Sequence, residues 1–374
     1  MSSTSAPARC RATHPAPWWA MRARAAMAVA ACLTVSACAL GDGGGVDSLK
    51  SLPLDGTPGA GGGGAARSST GHYFVRVIDA AGTTVRLVPG AAAWQTYGTG
   101  YGSPSAPQHD GSIYVTGPAG GSLMQVQGAE YVDVRGVPAV GAQFLSKTED
   151  GRLHMLSSAM VDGTTSSYTF WSALPGDAAW RNDGSGTMPT AQLWMTSKGR
   201  VLGWRRNVGI IEVEPSTRAQ TTLVACGQPG ATDVDCVSST IVAVPDRRGH
   251  FYFTSRADTN GYRTELWRVA HGSTTATRVA GPGLPQLPKS DGASNYYRPG
   301  DVSLYADPSH RIWMAFRWGS NGANDTGYLY RFSGSGWSYI RGDLSRNVTL
   351  FGEGDSPGIL GITLFGSMQV WRFD

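Results

Sequence analysis

Three histidines could do chemistry in this chain if a fold gathered them: His154, His250 and His310. Each sits in or beside a short apolar stretch, and imidazoles facing one channel would make a metal or acid–base site. Their places within those stretches differ by several residues, which argues against a shared centre. Glu212 and Glu214 lie on one face of an extended segment. A glycosidase pair instead needs carboxylates opposed across a cleft. The runs Asp258 to Gly261 and Asp291 to Asn295 offer oxygen ligands but lack the terminal glutamate of a calcium loop. No HExxH, phosphate-binding loop or EF-hand pattern occurs. The residues therefore assign no catalytic group, no metal and no cofactor. A hydrolase or lyase using His154, His250 or His310 with a metal stands as the alternative.

A second set of residues suits recognition. Three long loops, 255–263, 281–300 and 317–327, carry Arg256, Asp258, Tyr262 and Arg263, then Tyr296, Tyr297 and Arg298, then Arg317, Trp318, Asn321 and Asp325. Aromatic rings bury area while guanidinium and amide groups set orientation, a combination suited to a protein or glycan partner.

The elements that must position these residues are short strands. From residue 71 onward no amphipathic helix is evident, and one unit recurs: a turn with glycine followed by an apolar strand. It reads His109-Asp110-Gly111-Ser112-Ile113-Tyr114, then Glu149-Asp150-Gly151-Arg152-Leu153-His154, then Ser197-Lys198-Gly199-Arg200-Val201-Leu202. Further copies surround Gly249, His310 and Gly358. Taking these six positions as equivalent, the spacings are 40, 48, 50, 61 and 48 residues. Repeats of about 40 to 50 residues are blade periods of propellers. The fold expected is all-β, a β-propeller of six blades with seven as the alternative. The chain ends on a third strand, so the hairpin Tyr73 to Val88 is expected to pair with the C-terminal blade and close the ring. The repeat resembles bacterial propellers of the two-component-regulator, NHL and kelch-like kinds, most clearly at His310-Arg311-Ile312-Trp313-Met314 and Gly327-Tyr328-Leu329-Tyr330-Arg331-Phe332. That resemblance implies a binding or assembly scaffold and no particular chemistry.

Ahead of the repeats, Met21 to Cys38 has Arg22 and Arg24, an apolar run from Ala25 to Val35, and small residues up to Cys38. It reads as an export signal, too short to span a bilayer. Val35-Ser36-Ala37-Cys38 resembles the bacterial lipobox, which implies cleavage before Cys38 and lipid on its sulfur. Residues 1–38 are thus expected to be a lipoprotein signal peptide, with Met21 as an alternative start. Residues 39–70 are glycine-rich and read as a flexible tether with a reach of roughly 30 Å; residues 71–374 are the propeller. Ala39 follows the cysteine, and by the same resemblance the absence of Asp there favours the outer membrane.

The formal charge of +4 is misleading, because Arg9, Arg11, Arg22 and Arg24 all precede Cys38. Without them 27 acidic residues face as many basic ones, so binding of nucleic acid through a basic field loses its support. Cys226 and Cys236 bracket a turn-rich stretch. In an exported protein such a pair is read as a disulfide, contributing ~2–3 kcal/mol. The expectation is a non-enzymatic binding or scaffold lipoprotein of the cell envelope, anchored through Cys38, with a protein or glycan partner.

Overall fold

Among the described residues one five-residue turn is built six times. In each copy the backbone N–H of a buried polar residue donates to the carbonyl four residues on, and the fourth residue's N–H donates back to the first carbonyl. The copies span Ser68 to His72, Gln108 to Ser112, Thr148 to Arg152, Thr196 to Arg200, Asp246 to His250 and Asp307 to Arg311. The fourth residue has a positive φ: Gly71 (85°), Gly111 (82°), Gly151 (84°), Gly199 (80°), Gly249 (81°) and His310 (62°). Glycine takes this left-handed conformation without steric cost, and the turn reverses one strand into the next. Five of the six positions aligned in the sequence occupy it. The sixth, Gly358, lies outside the described residues, and Gly71 is a copy the sequence reading passed over.

The structure, a computed structural model, describes residues 49–51, 62–77, 81–226, 242–257, 263–279, 295–296, 302–320, 326–334, 336–344, 348–352, 359–365 and 367–373. Every sheet is antiparallel. The first pairs β2 (Gly62–Arg67), β3 (Tyr73–Val77), β4 (Thr84–Leu87) and β5 (Gln95–Gly98). The second pairs β6 (Tyr114–Thr116), β7 (Ser122–Gln127) and β8 (Glu130–Gly136). Alongside β6, Gly102 N–H donates to Thr116 and Ser105 N–H to Tyr114, each at 2.8 Å. Pro104 and Pro107 have no N–H to give, which interrupts this innermost segment. The third sheet holds β9 (Gln143–Lys147), β10 (Leu153–Met160), β11 (Thr165–Ala173) and β12 (Arg181–Pro189). The fourth holds β13 (Gln192–Met195), β14 (Val201–Arg205), β15 (Gly209–Val213) and β16 (Gln220–Ala225).

The fifth contains β17 (Ala243–Pro245), β18 (Phe251–Ala257), β19 (Arg263–Val269) and β20 (Ala276–Arg278). In the sixth, β21 (Asn295–Tyr296) and β22 (Val302–Ala306) both pair with β23 (Ile312–Ser320), followed by β24 (Thr326–Phe332) and β25 (Trp337–Leu344). The last joins β26 (Val348–Gly352), β27 (Ile359–Phe365) and β28 (Ser367–Phe373) to β1 (Leu49–Ser51).

Side chains between successive sheets close these into a β-propeller. Phe74 packs on Val115 and Tyr131 of the second sheet. Tyr114 and Leu123 meet Leu153 of the third. Leu156 and Tyr168 meet Met195 and Ile211, and Leu202 and Trp204 meet Phe251 and Phe253. Tyr252 and Leu266 join Leu304 and Ile312, and Tyr305 and Trp313 join Leu350. β26 returns to β2. Each such buried side chain contributes about 1.5–3 kcal/mol, so the stabilising surface lies between sheets rather than within them. The six repeats read from the sequence each build one sheet, and residues 62–98 build a further one.

The closing strand is not the one expected. The hairpin Tyr73 to Val88 forms β3 and β4 of the first sheet, whereas β1 supplies the outer strand of the last: Leu49 faces Phe373, Lys50 faces Arg372 and Ser51 faces Trp371. The N-terminal chain does close the ring, through an earlier segment. β1 and β2 both fall within residues 39–70, the stretch read as tether. Gly64 shows why glycine misled: at φ 148° its Cβ would lie 3.1 Å from Ser103 Cβ, so the missing side chain permits close approach. Cys38 and the signal segment lie outside the described residues. Among the described residues no helix is long and apolar enough to cross a membrane.

Candidate functional site

A cleft of about 510 Å³ opens between the third and fourth sheets, at the end of the ring where the five-residue turns lie. One wall comes from His154 on β10, Trp171 on β11 and Arg181, Asn182 and Asp183 on β12. The facing wall is Gly199 and the segment Glu214-Pro215-Ser216, and buried Met155, Phe170 and Met195 form the floor. An adjoining recess of about 440 Å³ shares His154, Arg181 and Gly199 and runs over the turns to Asp150, Arg152 and Lys198. The two sheets approach closely beside the cleft because Gly184 has no side chain; a Cβ there would lie 2.0 Å from the Pro215 carbonyl oxygen.

Charges in the cleft are paired. Arg181 Nε donates to Asp183 Oδ1 at 2.6 Å, Arg152 lies 3.4 Å from Asp150, and Lys198 pairs with Glu149. Glu214 Oε1 accepts from the Ser216 hydroxyl at 2.8 Å. Exposed pairs of this kind contribute about 0–1 kcal/mol, so they orient groups more than they stabilise the fold. Thr148 Oγ1 sits 3.3 Å from His154 Nε2.

Burial pushes the His154 imidazolium down to about 4; Asp183 opposes the shift and Arg152 reinforces it. The neutral ring is therefore the native form. Once unfolded, the ring takes up a proton below about pH 6.5, so the unfolded chain binds more protons between pH 6.5 and 4 and stability falls across that window. The loss at its acid end is roughly 3 kcal/mol. His154→Gln is expected to leave stability at pH 7.5 nearly unchanged and to flatten the decline from pH 6.5 to 4, as read by urea unfolding at stepped pH. An unchanged acid limb refutes this assignment.

The three histidines do not gather. His250 Nδ1 accepts from the His271 N–H at 2.9 Å, and His310 occupies the left-handed turn position. Burial lowers both, with the Asp246 charge opposing. His250 and His310 thus share the surroundings of Asp246, while His154 stands with Asp183 two sheets away. Glu212 is held by Arg200 in a two-bond pair at 2.7 and 2.8 Å, apart from the Glu214 contact. Among the described residues no three His, Cys, Asp or Glu side chains are grouped to hold a metal.

Of the loop residues, the backbone places Arg256 opposite Thr264 and Arg263 opposite Ala257, at the hairpin end of the fifth sheet. Tyr296 pairs with Gly319, next to Arg317 and Trp318, at the corresponding end of the sixth. Asp258, Tyr262, Tyr297, Arg298, Asn321 and Asp325 lie outside the described residues, as does Cys236. The sequence reading singled out His154 but missed Trp171, Arg181 and Asp183. Asp183 has no local signal in the sequence, because its place as the extra residue of β12 is defined only by pairing with β11.

No family model and no curated protein matches this chain. Among solved structures it is similar to YCF48 from Cyanidioschyzon merolae, at 13% identity over 87% of this chain and 98% of that one, with a TM-score of 0.46. It is also similar to a puromycin hydrolase, at 12% identity over 84% of this chain and 52% of that one, TM-score 0.43, so it spans about half of that enzyme. An ulvan lyase of a polysaccharide lyase family has 8% identity over 86% of this chain and 95% of its own, TM-score 0.43. At these identities the likeness extends to the fold and no further.

Proposed function

We propose that this protein is a non-enzymatic binding or scaffold lipoprotein of the cell envelope, held by lipid on Cys38 to a membrane, by preference the outer one. It recognises a protein or glycan through the loops of the fifth and sixth sheets. The observation that supports this reading is the pairing of Tyr296 with Gly319, which lays β21 along the strand bearing Arg317 and Trp318. The two sheets share one apolar cluster, so their hairpins are held side by side on a rigid base. Export to an oxidising compartment also favours a Cys226–Cys236 disulfide stapling the loop after β16.

The test joins anchor and recognition. A clickable palmitate analogue should label the full chain in a bacterial host and fail to label Cys38→Ala. Glycan and peptide arrays probed with the full chain should show a ligand whose signal falls at least tenfold in Tyr296→Ala and Trp318→Ala. Labelling that survives loss of Cys38, or array binding indifferent to both loop changes, sinks the proposal.

A further inference from the structure

The propeller repeats itself closely enough that a departure from the repeat is informative. Three residues after the left-handed turn position, the five other sheets whose turn is described carry Phe74, Tyr114, Leu202, Tyr252 and Trp313, all between 0 and 6% exposed. The third sheet carries His154. A second repeated position is a bulge in the outer strand. Opposite the pairs Thr84/Val85, Leu123/Met124, Ile210/Ile211 and Leu329/Tyr330, one extra residue is left unpaired: Tyr97, Val134, Leu223 and Ile340 respectively. In the third sheet Phe170 faces Gly184 and Trp171 faces Asn182, so the extra residue is Asp183. Two positions that are aromatic or aliphatic in these sheets have thus become an imidazole and a carboxylate. They lie on different strands, 29 residues apart in sequence, yet line one cleft.

The scaffold does not require this exchange, since the sheets just named stand with aromatic or aliphatic groups there. Half-buried polar groups cost stability unless satisfied, and residues that break a local rule without structural gain mark function. Bulges in particular re-aim a side chain beside a site.

We infer that the cleft between the third and fourth sheets binds an uncharged sugar residue, at a site separate from the loops of the fifth and sixth sheets. The charges around it nearly balance, with Arg152, Arg181 and Lys198 set against Glu149, Asp150, Asp183 and Glu214, which gives a polyanion or polycation no net attraction. Its hydrogen-bonding groups alternate in kind. Asn182 Oδ1 accepts from the Gly184 N–H at 2.9 Å, leaving the amide NH₂ to donate. Asp183 commits Oδ1 to Arg181 and Glu214 commits Oε1 to Ser216, leaving each a second oxygen to accept. A hydroxyl both donates and accepts, so a ring of hydroxyls matches such an array better than a carboxylate or an ammonium does. Trp171, its Nε1 bonded to Ser157 Oγ at 3.2 Å, adds a fixed aromatic surface for the C–H face of a sugar. A volume of about 510 Å³ lies within the range of small-ligand pockets.

The test uses the full chain in a zwitterionic detergent that carries no sugar. Methyl glycosides of glucose, galactose, mannose, fucose and N-acetylglucosamine are titrated by saturation-transfer NMR, with glucuronic acid and tetra-alanine as contrasts. At least one methyl glycoside should bind saturably and with little dependence on salt. Asp183→Asn and Trp171→Ala should weaken it at least tenfold and Asn182→Ala, an exposed change that spares the core, severalfold; Arg206→Ala at the opposite end of the fourth sheet should not alter it. The inference is overturned if no methyl glycoside binds, or if glucuronic acid or the peptide binds more tightly. It is equally overturned if binding ignores Asp183→Asn and Asn182→Ala, or is lost in Trp318→Ala alone, which would assign the sugar to the loop face.

Discussion

Trp313→Ala is expected to destabilise the protein by about 3–5 kcal/mol and to lower the melting temperature by on the order of 10 °C. Trp313 is 1% exposed and packs with Tyr305, Leu329 and Leu350, so it binds the sixth sheet to the last. Its indole Nε1 also donates to Asp307 Oδ2 at 2.9 Å, and Asp307 is wholly buried. That carboxylate accepts from the Arg311 backbone at 3.0 Å and from Arg311 Nε at 2.6 Å, which holds the turn that begins the strand. Truncation therefore empties a large volume and strips a donor from a buried charge together. Trp313→Phe separates the two effects: it keeps most of the ring and loses only the N–H, and should cost about 1–2 kcal/mol. Urea unfolding of both variants decides the matter, and a loss below 1 kcal/mol in Trp313→Ala would show that the seam between these sheets carries little of the stability.

A chain starting at residue 68 should fail to form a cooperatively melting monomer, whereas one starting at residue 47 should succeed. Residues 47–374 form the compact unit. Starting at 68 removes β1, which covers the edge of β28, and β2, which lies against β26 and pairs with β3. Both junctions that tie the first sheet to the last disappear, and two strand edges are left unpaired. Open edges of this kind pair with other chains. Light scattering after size exclusion and a melting curve are the measurements; oligomers or aggregates with a broad melt are expected for the shorter chain. A monomeric, sharply melting 68–374 fragment would mean that the ring closes without its N-terminal strands.

Much of the propeller was legible because its signals are local. A left-handed turn needs glycine, and a strand buried between sheets needs an apolar run, so Gly111, Gly151, Gly199 and Gly249 with their following strands announce themselves within seven residues. His310 was aligned despite lacking glycine because Ile312 to Ala315 follow it. Gly71 escaped because its copy, Ser68 to His72, sits at the end of a glycine-rich run that resembles a linker. The candidate cleft was half legible. His154 stood out as a titratable residue in an apolar strand, but Asp183 lies in a polar segment whose bulge is defined only by pairing with β11.

The amino-acid sequence by itself determined the repeating unit, the all-β class and the neutrality of the chain beyond Cys38, since these follow from turn sterics, short apolar runs at a fixed spacing and charge counting. Which segment seals the ring was decided only in three dimensions. The pairing of β1 with β28 is made of backbone hydrogen bonds, which any residue but proline can form, so Leu49-Lys50-Ser51 carries no side-chain signature of its partner. The meeting of His154 with Asp183 was decided in the same way, by strand register and one extra residue in β12, and a register is a property of two strands together rather than of either sequence alone.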